Sequence, residues 1–256
     1  MAHINGPFFL ENTRMLSRLF LIIVVLFCCG TVEASVVMTG TRIIYPSDAR
    51  EKSIQLVNND SYPNVVQLWT DINNPESTPE DADGPFVVLP AVAKIKAKSG
   101  QTIRLIYTGE KLPTDRESVF YLNFLQIPPS DKASSNENKM LIMLRNRVKI
   151  FYRPEGLNVS PSELSSLIEF SALSLAKGIK VEVSNNSPYY ASFTSGKLTY
   201  QGGDVSLPIE MVAPFTKVTW NVDNFSLVPQ TNATIHFSLV NDLGATIAKE
   251  QAIIIR

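Results

Sequence analysis

The residue types that most often carry covalent or metal chemistry are scarce in this chain and poorly placed for it. The two cysteines, Cys28 and Cys29, are adjacent and close an apolar run, and only two histidines occur in 256 residues. A nucleophilic or metal-binding thiolate needs an electropositive or ligand-rich setting, which the run Leu19 to Cys29 (LFLIIVVLFCC) does not offer. His236 sits in the alternating run Ala233 to Leu239 and reads as a strand-face histidine rather than a general base. No Gly-x-Ser-x-Gly elbow, phosphate loop or dinucleotide fingerprint is present. The acidic stretch Glu76 to Gly84 lacks the alternating Asp/Asn ligands and distant Glu of a calcium loop, and reads as a solvated loop. Hydrolysis by paired carboxylates stays open, because sequence does not encode carboxylate separation. The expectation is a non-enzymatic protein with no metal site and no cofactor.

Charge and hydropathy narrow the class. With 23 basic against 24 acidic residues the formal charge is −1, without the basic excess of a nucleic-acid binder. A hydrophobic content of 45% argues against disorder. The apolar run follows Arg14 and Arg18 and is too short to span a bilayer but right for the core of a signal peptide. Val32 and Ala34 stand at the −3 and −1 positions of a cleavage after Ala34, so residues 1–34 are expected to be a leader. Glu11 and the cluster Phe8-Phe9-Leu10 are foreign to such a leader, which makes Met15 the expected start. Large Phe27 before Cys28 disfavours a lipoprotein signal. Cleavage would remove both cysteines and leave His236 as the one histidine, so the exported chain must stand on its hydrophobic core without disulfides.

The elements that would position any site are strands. Val36 to Tyr45, Ile54 to Val57, Val65 to Trp69, Phe86 to Leu89, Thr102 to Tyr107, Val119 to Ile127 and Met140 to Tyr152 are rich in β-branched and aromatic residues and are separated by turn residues. Seven such runs are what an immunoglobulin-like sandwich requires. Pro154 and Gly156 interrupt the pattern, and a second series follows from Leu167. It comprises Ile179 to Val183, Tyr189 to Thr194, Lys197 to Tyr200, Ile209 to Val212, Lys217 to Trp220, Ala233 to Leu239 and Thr246 to Ile255. The one local helix signal is Ser160-Pro161-Ser162-Glu163, a cap followed by Pro at the first helical position. The fold class is all-β, with two tandem immunoglobulin-like β-sandwich domains over residues 35–154 and 155–256.

Leu112-Pro113-Thr114-Asp115-Arg116-Glu117-Ser118 enters a strand that ends at Ile127-Pro128-Pro129. This string resembles the signature of the periplasmic pilus-assembly chaperones, the PapD-like family. Thr41-Arg42 in the first strand and Lys149-Ile150-Phe151-Tyr152-Arg153-Pro154 at the end of the first domain are similar to two further family motifs. Lys96-Ala97-Lys98-Ser99-Gly100 departs from the family's usual turn before Gln101-Thr102-Ile103-Arg104.

The resemblance implies a periplasmic chaperone of the chaperone-usher pathway. It would bind, fold and cap fimbrial subunits by donor-strand complementation and deliver them to an outer-membrane usher, without ATP. It implies a donor strand in which Met140, Ile142 and Leu144 fill the subunit's groove, although an unbroken apolar run is also what a strand buried on both faces looks like. Arg42 and Lys149 match the pair that anchors the subunit's C-terminal carboxylate; Arg145 and Arg147 share the parity of Lys149 and compete with it by position. Glu117, Arg153 and Asp242 match an interdomain salt-bridge network. The loop Ser130 to Lys139 is short, as in the subfamily associated with rod-like pili. Whether the free form hides its apolar strand by self-association is left open. The rival class is an exported two-domain adhesin or glycan-binding module.

Overall fold

The computed structural model describes residues 35–129, 142–223 and 228–256. The expected leader, the loop Ser130 to Lys139 and Met140 lie outside them. Val36–Arg256 form one folded unit containing two β-sandwiches.

The first sandwich uses β1 (Val36–Met38), β2 (Arg42–Pro46), β3 (Lys52–Asn58), β4 (Asn64–Asp71), β5 (Phe86–Leu89), β6 (Val92–Ile95), β7 (Ser99–Tyr107), β8 (Ser118–Ile127) and β9 (Leu144–Arg153). They make a four-stranded sheet, β1-β3-β7-β5, facing a five-stranded one, β2-β9-β8-β4-β6. Alternation in the sequence becomes alternation in space. Leu56, Val66, Ile103, Leu105, Leu122 and Ile150 have no exposed surface and close the core between the sheets. Each such side chain contributes roughly 1.5–3 kcal/mol by leaving water. β8 is central and covered on both faces: Phe120, Leu122 and Phe124 point into the core, while Tyr121 and Asn123 are buried on the outer side.

The expected strand from Val36 to Tyr45 is in fact two strands in different sheets. β1 pairs antiparallel with β3, and β2 pairs parallel with β9. The crossover passes through Gly40 at φ +94°, a left-handed conformation that side chains disfavour. β6 is an additional strand that the sequence reading did not mark.

The second sandwich is built from β10 (Ile168–Leu175), β11 (Gly178–Asn185), β12 (Phe193–Tyr200), β13 (Gly203–Ser206), β14 (Lys217–Asp223), β15 (Asn232–Val240) and β16 (Thr246–Ile254). The sheets are β10-β11-β14 and β13-β12-β15-β16. Trp220 is the largest fully buried side chain, edge-on to Phe193 at 5.1 Å, with Phe170 and Phe237 beside them. Two expectations fail here. The runs Tyr189 to Thr194 and Ile209 to Val212 meet only through an isolated Ala191–Val212 bridge, and β12 starts later, at Phe193. Gly203–Ser206, between the expected runs Lys197 to Tyr200 and Ile209 to Val212, forms the additional short edge strand β13, paired with β12. Between the domains a 3₁₀ helix, Pro161–Leu167, carries a capping box: Ser160 accepts from the Ser162 N–H, and Glu163 accepts from the Ser160 N–H at 3.0 Å.

Each sandwich is plugged by the same device. Asn58 at the end of β3 donates to the carbonyls of Tyr62, Ile95 and Lys96. Asn185 at the end of β11 donates to those of Tyr189, Val212 and Ala213. Both are buried, and each also accepts from the backbone N–H two residues on. One amide therefore satisfies several loop carbonyls that would otherwise be orphaned in the interior.

Candidate functional site

β9 is asymmetrically paired. On one side β8 accompanies it from Leu144 to Tyr152. On the other, β2 covers only Lys149 to Arg153. Among the described residues, Leu144 to Val148 therefore present an open edge, a row of backbone groups available to another strand. Ile142, Met143 and Leu144 are 63%, 50% and 50% exposed, so these three are not core residues of the first sandwich. Leu144 has the parity of core-facing Val148 and Ile150; Arg145, Arg147 and Lys149 face the other way.

The open edge ends where β2 begins, and there Arg42 and Lys149 are direct partners in the parallel ladder. Both are half-buried, and burial lowers the pKa of each. Lys149 is pushed further down by Arg42 and Arg147, whereas Asp242 and Glu117 counteract the effect on Arg42. Arg42 Nη1 donates to the Val240 carbonyl at 3.0 Å and its guanidinium lies over the Phe151 ring, but its buried Nε has no acceptor. Among the described residues neither Arg42 nor Lys149 belongs to an ion pair. Two adjacent, partly desolvated cations with unused donors have the chemistry to bind an anionic oxygen pair.

Arg145 and Arg147, which compete with Lys149 by parity, each have a partner within the first sandwich. Arg147 Nη2 meets Asp71 Oδ1 at 2.5 Å, and Arg145 Nη1 donates to the Ser77 carbonyl at 3.0 Å. Among the described residues, Arg147 alone of the three outward cations is in an ion pair, Arg145 is held by a neutral carbonyl, and Lys149 has neither an ion pair nor a side-chain hydrogen bond.

Behind the two cations lies the joint between the sandwiches. Arg153 Nε donates to Glu117 Oε1 at 2.8 Å, and its two terminal nitrogens bond Asp242 at 2.7 and 2.8 Å. Glu117 is buried and also accepts the Tyr190 backbone N–H at 2.8 Å. Burial raises the pKa of Glu117, an effect that Arg153 and the Tyr190 N–H only partly offset. For Arg153 burial works against the charge, yet its bonds to Asp242 and Glu117 raise its pKa. Asp242 is presented by a turn in which Asn241 Oδ1 accepts from the N–H groups of Leu243 and Ala245. A cavity of about 220 Å³ opens here, lined by Arg42, Phe151, Leu164, Tyr190, Asp242 and Ile247. Tyr190 and Val240 were invisible to sequence reasoning, because both contribute backbone groups. His236 lies on β15 opposite Glu250, its Nδ1 3.3 Å from that carboxylate, in an ordinary exposed pair.

This geometry coincides with relationships found by comparison. Residues 35–158 match the family described as pili and flagellar-assembly chaperone, PapD N-terminal domain, and residues 166–251 match pili assembly chaperone PapD, C-terminal domain. The probable fimbrial chaperone YadV of Escherichia coli (strain K12) is 36% identical over 239 residues, covering 92% of this chain and 96% of the relative. The chaperone protein HifB of Haemophilus influenzae is 37% identical over 222 residues, covering 85% and 88%. The crystal structure of the YadV chaperone superposes with a TM-score of 0.71 at 34% identity, covering 86% of this chain and all of that one. With both sandwiches matched and relatives aligned over nearly their full length, the chain belongs to the PapD-like family of pilus-assembly chaperones.

Proposed function

We propose that this chaperone acts in the periplasm, without catalysis, by lending β9 to an incomplete fimbrial subunit and handing the capped subunit to an outer-membrane usher. One observation carries the reading: an open strand edge, Leu144 to Val148, preceded by exposed apolar residues and closed at one end by the Arg42–Lys149 pair. A strand joining that edge gains main-chain hydrogen bonds, and the apolar side chains of Ile142 and Leu144 enter its groove. Met140, the third residue that the family resemblance assigns to the groove, lies outside the described residues.

The pairing sets the polarity of the guest. β2 runs parallel to β9 and starts at Arg42. A guest strand in the line of β2 whose C-terminal carboxylate reaches Arg42 and Lys149 must run in the same direction, parallel to β9. Each charge-assisted hydrogen bond to that carboxylate contributes roughly 1.5–3 kcal/mol. The anchor also fixes register, since a slip of one residue would turn every lent side chain to the wrong face. The Glu117–Arg153–Asp242 joint holds the second sandwich at the end of this edge.

The test is periplasmic co-expression with a fimbrial subunit. A 1:1 complex is expected with the parent protein and its loss with Arg42→Ala or Lys149→Ala, while both variants unfold at the parent temperature. Co-purification of the subunit with both variants would refute the anchor.

A further inference from the structure

The outer face of the β4, β8 and β9 strands carries a polar cluster that the docking edge itself does not use. Asp71, at the end of β4, has no exposed surface. Its carboxylate accepts from Arg147 Nη2 at 2.5 Å and Nε at 3.2 Å, Asn123 Nδ2 at 2.6 Å, Ser77 Oγ at 3.3 Å and the Asn74 N–H at 2.9 Å. Ser77 is equally buried; its hydroxyl accepts from Trp69 Nε1 at 3.0 Å and its carbonyl accepts from Arg145. Arg147 also lies over the Tyr121 ring, 3.4 Å from its centroid, and Arg145 over that of Trp69 at 5.9 Å. The first turn of the acidic loop, read from sequence as merely solvated, is thus folded down and bonded to β9.

Both arginines belong to the part of β9 that β2 does not cover. A strand paired on one side frays more readily than one paired on both. Moreover, Arg145, Arg147 and Lys149 stand on one face at alternate positions, about 7 Å apart, and repel one another. We propose that Asp71 and Ser77 are positioning residues for the docking edge: they pin the uncovered half of β9 through Arg147 and Arg145, and Asp71 screens Lys149 from its cationic neighbour. This rests on the reading of β9 as the lent strand. Arg147 is itself among the groups that lower the Lys149 pKa, so removing the Asp71 charge strengthens that push.

The experiment compares the purified full-length protein with Asp71→Asn and with Arg145→Leu, which removes the donor to the Ser77 carbonyl and leaves Asp71 and Arg147 in place, using backbone amide exchange and the titration of the Lys149 ammonium by NMR. Exchange of the β9 amides between Leu144 and Val148 that bond β8 is expected to quicken about tenfold in both variants, with β3 and β7 unchanged. The Lys149 pKa is expected to fall in Asp71→Asn. Unchanged β9 exchange in Arg145→Leu together with an unchanged Lys149 titration in Asp71→Asn overturns the proposal. If Asp71→Asn does not fold, exchange in Arg145→Leu decides alone. A third arm separates this proposal from the docking reading. A synthetic peptide of alternating apolar residues is offered with a free or an amidated C-terminus. Equal binding of the two by the parent protein defeats the docking reading whatever the clamp variants do. A preference for the free carboxylate that persists undiminished in both clamp variants, with unchanged exchange, defeats the clamp alone.

Discussion

Arg153 grips Asp242 with both terminal nitrogens, joining the last strand of the first sandwich to a turn of the second. The two partners differ in exposure: the Arg153 side chain is 18% accessible and that of Asp242 39%. A half-exposed pair of this kind contributes at most about 1 kcal/mol and is screened by salt. Its consequence is orientation rather than stability. Asp242→Ala is therefore expected to leave the unfolding midpoint nearly unchanged while broadening the distribution of interdomain angles seen by small-angle scattering or residual dipolar couplings. A shift of several degrees in the midpoint with unaltered angles would contradict this.

Glu117 is the less expendable member of the same joint. Its carboxylate is buried and serves Arg153 and the Tyr190 N–H together. Truncating it removes the acceptor of two part-buried donors, so Glu117→Ala should cost about 2 kcal/mol or more in chemical denaturation, above the cost of Asp242→Ala.

Two buried carboxylates give stability opposite dependences on pH. For Asp71 burial works against the charge, but Arg147, Asn123 and the Asn74 N–H win and hold its pKa below the usual range. Its ionised form is favoured by folding, so this stabilisation is present above the unfolded pKa of about 3.9 and is lost as pH falls through the folded value. Glu117 is raised by burial, so its contribution is present at low pH and lost as pH rises through its folded pKa. Denaturation measured from neutral pH downward should show the gap between the parent and Asp71→Asn closing below about pH 4. With Glu117→Gln the variant should instead gain on the parent as pH rises. Parallel curves for Asp71→Asn would remove the Asp71 ion pair from the stability of the fold.

What could be read in the sequence follows the range of the interactions. Strands such as β3, β7 and β15 are legible because one buried face imposes a period of two on neighbouring residues. The split of Val36 to Tyr45 is not, since both halves alternate correctly and only Gly40 marks the change of sheet. Asn58 and Asn185 look like turn residues, and they do end strands. Their burial as plugs depends on carbonyls up to 38 residues away. Arg147 and Lys149 are equivalent by parity; what distinguishes them is Asp71, 76 residues from Arg147 in the chain. Arg42 and Lys149 could be named only through the family signature, because a lone basic residue on a strand has no local mark of function.

The plug amides should be costly to remove. Asn58→Ala would leave the carbonyls of Tyr62, Ile95 and Lys96 without that donor, at a position that itself has no exposed surface. A loss of about 2–3 kcal/mol is expected in equilibrium unfolding, and Asn58→Asp should be no better, since it replaces the donor by a buried charge. The matching change Asn185→Ala should weaken the second sandwich by a similar amount.

The apolar residues ahead of β9 should behave in the opposite way. Ile142 and Leu144 expose more than half and half of their surface, so little transfer free energy is at stake in the free protein. Replacing both by Ser should change stability by no more than about 0.5 kcal/mol for each substitution, whereas Leu122→Ala, in the sealed core, should cost about 2–5 kcal/mol. The same double substitution should sharply reduce the yield of subunit complex, since those side chains would have filled the guest's groove. It should also reduce self-association of the free protein, because an uncovered apolar edge invites pairing with a second copy. Differential scanning calorimetry, co-purification and sedimentation velocity read the three effects separately. A large fall in thermal stability with intact capture would return Ile142 and Leu144 to the core of the first sandwich.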